Sequence, residues 1–210
     1  MNGNDVMESD VTDMLQNDEP FVVEDAVRDW PRDGNDELLF TMDKLRHLVK
    51  NFPLESSCEF TSDIENYTMA DLARAMGNDS FPEQLIVAWE NCDPQTAKIF
   101  RGLAKRPFFL PAFAEMSASN QIIVARGKSE KKMQVPQEVK SASMITVITG
   151  RMEIQISPDV ECEPHNCTGD KFTVGPGETV VVPTRIWSVT YSPMSEGFLL
   201  GYATTLFWDD

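Results

Sequence analysis

Three residues with metal-binding side chains, Cys162, His165 and Cys167, lie close together in the sequence. Thiolate and imidazole groups are ligands that Zn²⁺ prefers, so these residues form a candidate zinc site. A closed structural zinc site needs a fourth ligand, which Cys58 or Cys92 would have to supply. We favour the simpler interpretation, in which this stretch is a polar loop that binds no metal.

The small number of histidines restricts the catalytic chemistry open to this chain. The sequence contains two histidines, His47 and His165, and neither is followed two positions later by Asp or Glu. No Gly-x-Ser-x-Gly motif is present, and a Ser or Cys nucleophile needs a neighbouring base, most often a histidine. The sequence therefore predicts no nucleophile–histidine pair.

Residues 176–189 carry the clearest structural pattern of the chain. A Pro-Gly turn at Pro176 and Gly177 precedes a β-branched run, and a second turn at Pro183 precedes a further run that begins at Trp187. Short β-branched and aromatic runs bounded by Gly and Pro are typical of strands. We therefore expect two strands here at one edge of a small barrel.

The periodicity of apolar residues divides the chain into two parts. Helical spacing and capping residues predict helices over 41–51, from Thr68 to Gly77 and over 94–103. After residue 111 the chain changes to short strands about ten residues apart, which indicate a β sandwich or barrel. We predict a mainly β fold with α helices (α+β).

Residues 1–18 form an acidic segment, flexible or with one or two helical turns. Residues 19–210 form one domain, helix-rich and acidic over 19–111 and a β barrel over 112–210.

Three segments together resemble the JmjC branch of the cupin superfamily. Residues 19–31 contain Pro20 before an apolar run and end in Trp30-Pro31, as in the opening strand of that family. Residues 134–152 and residues 176–189 resemble two later segments in the same order. The resemblance implies a double-stranded β-helix (cupin or jelly-roll) barrel with the N-terminal helices packed on it.

The family's iron chemistry depends on residues that this chain lacks. A His-x-Asp pair and a distant His hold Fe(II) in these oxygenases and leave positions open for 2-oxoglutarate and O₂. Counting back from the Gly150 turn places Gln137 and Val139 at the His-x-Asp pair, and counting forward from Pro176 places Ser188 at the second His. Met152 stands where the family often has the Lys that pairs with 2-oxoglutarate. The resemblance therefore implies a catalytically degenerate member without a metal or other cofactor.

We accordingly expect a pseudo-oxygenase that is no enzyme and serves as a protein-interaction or dimerisation scaffold, by resemblance in a nuclear or chromatin complex. A second hypothesis is a metal-free sensor whose cupin pocket binds a small molecule. Its candidate walls are Val139, Met144, Met152 and Trp187. A third hypothesis is an active or non-standard metal-dependent oxygenase.

Charge and composition indicate the kind of partner. Residues 1–93 carry 22 acidic and 6 basic side chains, whereas residues 94–210 carry 12 of each. An acidic surface disfavours nucleic-acid phosphates and favours basic protein partners or a second copy of the chain. The N-terminus does not resemble a signal peptide and no apolar run approaches the length of a membrane span. We therefore expect an intracellular protein, nuclear rather than cytoplasmic, with its four cysteines reduced.

Overall fold

The computed structural model describes residues 1, 8–51, 57–91, 93–135, 141–159 and 168–208. The helices in these residues are α1 (Glu8–Gln16), α2 (Met42–Asn51), α3 (Met69–Asn78) and α4 (Pro94–Leu103). The strands are β1 (Phe21–Val23), β2 (Ser57–Ser62), β3 (Leu85–Asn91), β4 (Glu115–Met116), β5 (Asn120–Arg126), β6 (Met133–Gln134), β7 (Ser141–Thr149), β8 (Met152–Pro158), β9 (Asp170–Val174), β10 (Thr179–Pro183), β11 (Trp187–Pro193) and β12 (Phe198–Phe207).

The strands form two antiparallel sheets that face each other. The larger sheet has the order β1-β10-β7-β12-β5-β3-β2, and β4 pairs with β12 at one end. The smaller sheet has the order β6-β11-β8-β9. From β7 onwards the chain passes between the sheets, since β8, β9 and β11 belong to the smaller sheet and β7, β10 and β12 to the larger one. This is the arrangement of a double-stranded β-helix, which confirms the predicted fold class.

Two glycines of the resembling segments make the tight turns between sheets possible. Gly150, between β7 and β8, and Gly177, before β10, both have φ of 84°, a region that favours glycine. A Cβ atom at Gly150 would lie 2.7 Å from the backbone oxygen of Phe198. Any other residue at Gly150 would therefore strain this turn.

The helices α2, α3 and α4 cover the outer face of the larger sheet. Leu45, Leu72 and Phe100 from these helices are fully buried there against Trp89 of β3 and Tyr202 of β12. The helix α1 packs on another part of the same face: its Val11 and Leu15 are buried with side chains of β1, β7, β10 and β12. Burial of this apolar stripe explains why so short a helix is stable, since isolated helices of this length are marginal in water.

Side-chain caps fix where two of the helices begin. Thr68 and Asp71 form a capping box at α3, in which each side chain accepts a hydrogen bond from the other residue's backbone N–H. At α4, the Asp93 carboxylate accepts hydrogen bonds from the Thr96 hydroxyl and backbone N–H, which lower the pKa of Asp93 below its ordinary value. Pro94 follows at the first helical position, where its missing N–H costs nothing.

The helices expected over 41–51, from Thr68 and over 94–103 are present, and the strands expected after residue 111 are present as β5 and β7–β12. The short strands β4 and β6 were not predicted, because two residues carry no periodicity. The expectation of reduced cysteines is wrong for Cys58, which is disulfide-bonded. The other three cysteines lie outside the described residues. No helix in the described ranges is long and apolar enough to cross a membrane.

Removal of a buried helix side chain tests the packing of α2 on the larger sheet. Leu45 is completely buried whereas Leu39 is 39% exposed. We expect Leu45→Ala to lower the free energy of unfolding by about 2–5 kcal/mol, because it removes buried methyl groups and leaves a cavity. The matched control Leu39→Ala should change it by less than about 1 kcal/mol. Urea unfolding of both variants measures the difference, and equal effects would contradict this packing.

Candidate functional site

The space between the two sheets is filled with apolar side chains from both of them. Ile123, Ile145 and Val147 from the larger sheet pack against Met152, Ile154 and Val189 from the smaller one, and all six are completely buried. The Met152 side chain lies close to Gly201 of β12, where an added Cβ atom would be 3.4 Å from the Met152 Cε. The position that the resemblance assigns to a cosubstrate lysine is thus part of a packed core.

Strand β11 alternates between the interior and the outer face of the smaller sheet. Trp187, Val189 and Tyr191 are buried within the interior cluster, whereas Ser188 is partly exposed. Ser188 lies directly opposite Ser157 of β8, and its Oγ donates a hydrogen bond to the Ser157 backbone oxygen at 3.3 Å. Because side chains alternate along a strand, Ser188 faces away from the interior.

Trp187 covers part of the end of the interior at which β11 begins. Its ring belongs to the interior cluster, and its Nε1 donates a hydrogen bond of 2.8 Å to the backbone oxygen of Asp18. The Asp18 carboxylate, itself buried, forms an ion pair with Arg185 in the turn before β11. The segment between α1 and β1 is therefore fastened to the position next to Ser188.

Tyr191 is a further interior residue with a polar atom. Its hydroxyl is buried and has no hydrogen-bond partner, and burial raises the pKa of Tyr191 well above its ordinary value. The phenol therefore stays protonated and neutral at physiological pH. Because it is neutral, this hydroxyl adds no charge to the interior and is a poor metal ligand.

The structure does not bring the remaining predicted site residues together in one pocket. Met144 lies on the opposite face of β7 from Ile145, in the cluster that receives α1, so it does not share a wall with Met152 and Trp187. Two groups of predicted residues lie outside the described residues: Gln137 and Val139 of the degenerate metal site, and Cys162, His165 and Cys167 of the zinc candidate. Among the described residues, no three His, Cys, Asp or Glu side chains are placed to hold a metal ion.

A small polar cavity lies at the mouth of the barrel, where β3 ends and β5 begins. Its volume is about 70 Å³, room for only a few heavy atoms and far below the roughly 300 Å³ of a small drug-sized pocket. Its polar lining residues are Glu90, Ser119, Asn120, Gln121, Thr204 and Thr205. Sequence reasoning missed this group. The available signal was the polar pair at the start of β5, Asn120-Gln121, which precedes an otherwise apolar strand.

Comparison with solved structures finds a protein of similar overall fold. The structure of YcfD, a ribosomal oxygenase from Escherichia coli, matches with a TM-score of 0.54 and 13% sequence identity, over 95% of this chain and 51% of that one. This chain therefore spans about half the length of that protein. At such low identity the likeness concerns the fold alone.

Two further structures match over less than half of this chain. The cupin domain of Cnp3 from Schizosaccharomyces pombe matches at a TM-score of 0.32 and 11% identity, over 43% of this chain and 56% of that one. Peruvianin-I, a cysteine peptidase from Thevetia peruviana latex, matches at 0.33 and 12%, over 44% and 59%. Both scores are too low to support an argument. No family model matches the sequence, and no curated protein sequence matches it.

The iron centre implied by the resemblance does not fit the described residues. The Ser188 hydroxyl lies on the outer face of the smaller sheet, where it donates a hydrogen bond to the backbone oxygen of Ser157. Met152 offers a thioether within an apolar core, where a carboxylate would lose its hydration without gaining a cationic partner. We therefore derive no step of oxygenase chemistry from this site.

A charge placed at Met152 distinguishes a packed interior from a pocket. We expect Met152→Lys to lower the free energy of unfolding by more than about 3 kcal/mol, because it buries an unpaired ammonium group. The control Met152→Leu nearly conserves volume and should cost less than about 1.5 kcal/mol. Urea unfolding measures both. A stable Met152→Lys variant that gains affinity for 2-oxoglutarate would show that an anion pocket exists here.

Proposed function

We propose that this chain is a non-catalytic cupin-fold module that works by binding other proteins. The observation that carries the proposal is the packed interior, in which Met152, Ile154 and Val189 occupy the space between the sheets. An oxygenase of the resembling family needs that space for iron and 2-oxoglutarate. A barrel that keeps its shape but has no room for iron and 2-oxoglutarate can still bind other proteins through its outer surface.

The charge distribution supports a basic partner. The excess negative charge of the chain lies in residues 1–93. Exposed carboxylates of that part include Glu24, Asp29 and Glu37, for which the described residues provide no ion pair. Long-range attraction to a basic surface raises association rates and fixes orientation. A second copy of the chain is the alternative partner, since residues 94–210 carry as many basic as acidic side chains.

The nuclear or chromatin location implied by the resemblance stays a prediction. The disulfide at Cys58 is an argument against it, because disulfides are rare in nuclear and cytosolic proteins. Mass spectrometry of the protein isolated from its natural source without reductant would determine the state of Cys58 in the cell.

The cavity at the barrel mouth favours a second candidate function, the binding of a small molecule without a metal. Only a ligand of a few heavy atoms fits a volume of about 70 Å³. This candidate is compatible with the first, because the mouth and the acidic outer surface are different parts of the molecule.

Metal and cosubstrate titration tests the non-catalytic proposal directly. We expect no saturable binding of Fe(II), with or without 2-oxoglutarate, in anaerobic calorimetry, because Ser188 and Met152 provide neither a strong ligand nor a cation. Incubation with Fe(II), 2-oxoglutarate and O₂ should release no succinate. Stoichiometric Fe(II) binding together with 2-oxoglutarate turnover would refute the proposal and support the oxygenase alternative.

Charge-neutralised variants test the basic partner. Proteins captured by the tagged chain are identified by mass spectrometry, and their affinities are then measured with purified components. Neutralising Glu24, Asp29 and Glu37 together should lower the affinity for a basic partner several-fold at low salt, because salt screens the attraction between exposed charges. The matched control neutralises Glu115, Glu130 and Glu196, also exposed, and should leave the affinity unchanged. Equal effects of both triple variants, or none, would contradict a partner site on the acidic part.

A further inference from the structure

Four side chains form a row across neighbouring strands at the mouth of the barrel. Glu59 of β2 lies opposite Glu90 of β3, Glu90 lies opposite Gln121 of β5, and Gln121 lies opposite Ala203 of β12. Two positions away along the same strands, Ala88 and Ile123 belong to the interior cluster. Side chains two residues apart on a strand lie on the same face of the sheet. Glu90, Gln121 and Ala203 therefore line the cavity at the open end of the space between the sheets. The exposed Glu59 extends the row at the edge of the larger sheet.

Two carboxylates stand side by side in this row. Side chains directly opposite each other on antiparallel strands have Cβ atoms about 5 Å apart, and like charges at that distance are destabilising. Neither Glu59 nor Glu90 forms an ion pair within the part of the chain that the structure describes. The charge of these two carboxylates is thus not offset by an ion pair among the described residues.

Gln121 provides an independent observation that points to a ligand. Its side chain is only 7% exposed and lines the cavity, yet its Oε1 has no hydrogen-bond partner. A buried amide oxygen without a partner costs free energy, which a donor placed in the cavity would recover. The small side chain of Ala203 beside it leaves the space that such a donor needs.

Two groups at the cavity require a hydrogen-bond donor. The Glu90 carboxylate can only accept, and the Gln121 oxygen has no partner, whereas the hydroxyls and the other amide that line the cavity can donate as well as accept. From this geometry we propose that the barrel mouth binds a small cation with several N–H donors, of the size of a guanidinium or alkylammonium group. The ligand's charge is balanced by Glu90 and Glu59, and its N–H groups bond to Gln121 Oε1. This inference rests on the second candidate function, small-molecule binding at the same cavity, and not on the proposed scaffold function.

Titration with guanidinium chloride at millimolar concentrations, in place of sodium chloride at constant ionic strength, tests the proposal on the full chain. Backbone amide NMR shifts provide the signal. We expect saturable shifts confined to the adjoining ends of β3, β5 and β12. Tetramethylammonium carries the same charge without N–H donors and should produce no saturable shift.

Variants locate the site. Glu90→Gln should weaken guanidinium binding about tenfold, since hydrogen bonds to a charged group are the stronger ones. Ala203→Leu should abolish binding by filling the cavity. The control Glu65→Gln removes an exposed charge elsewhere and should leave the affinity unchanged. If Ala203→Leu does not fold, Glu90→Gln with its control still decides the question.

A second titration, with Nα-acetyl-arginine amide, distinguishes a free ligand from the side chain of a protein partner. Tighter binding than guanidinium indicates a side chain, and weaker binding indicates a free small molecule; each supports the site. Shifts that do not saturate with either probe, or that are equal in Glu90→Gln and wild type, would overturn the proposal and indicate that the cavity binds only water. Neither result bears on Fe(II) or 2-oxoglutarate, so the two proposals fail separately.

Discussion

Strand β11 lies between β6 and β8, and its pairing with β8 decides which side chains enter the barrel. Val189 lies opposite Ile156 and Tyr191 opposite Ile154, and all four are buried between the sheets. Since the period of a strand is two residues, this register leaves Ser188 on the outer face. A shift by one residue would exchange the two faces and expose Val189 and Tyr191 to water. The apolar interior therefore depends on this register.

The same register connects the barrel to the start of the chain. With Trp187 turned inward, its indole N–H reaches the backbone oxygen of Asp18, and Arg185 in the preceding turn pairs with the carboxylate of that residue. α1 packs nearby on the outer face of the larger sheet through Val11 and Leu15. A tryptophan and the N-terminal segment thus cover part of this end of the interior. The small polar mouth beside Glu90 and Gln121 is the part of the same end that remains open.

Much of the fold could be predicted from sequence because it depends on local signals. Thr68 and Asp93 cap helices in the way their side-chain chemistry dictates, and the β-branched run at Thr179–Pro183 forms a buried strand. The candidate site could be predicted only in part. Counting along the chain identifies Ser188 as a position, and the alternation of Trp187, Val189 and Tyr191 with Ser188 and Thr190 was a local signal that Ser188 faces outward. Met144 was misplaced because β7 is buried on both faces, so its sequence does not show which face is turned to the interior.

Sequence reasoning missed the polar mouth because the polar pair Asn120-Gln121 marks only one of the strands that form it. Glu59, Glu90, Gln121 and Ala203 come from four separate strands and become neighbours only when the sheet assembles. Among 34 acidic residues, Glu90 has no distinguishing feature in the sequence. Its distinction is structural: it lies next to a buried amide whose oxygen has no partner.

Thiol accessibility along β11 tests the central claim, that Ser188 faces outward from a packed interior. Ser188→Cys and Val189→Cys are treated with a thiol reagent under native conditions, and labelling at each site is followed by peptide mass spectrometry. The register described here predicts fast labelling at position 188 and protection at position 189 until the protein unfolds. Protection at position 188 with fast labelling at position 189 would contradict this register and would show that the side chain at position 188 faces the interior.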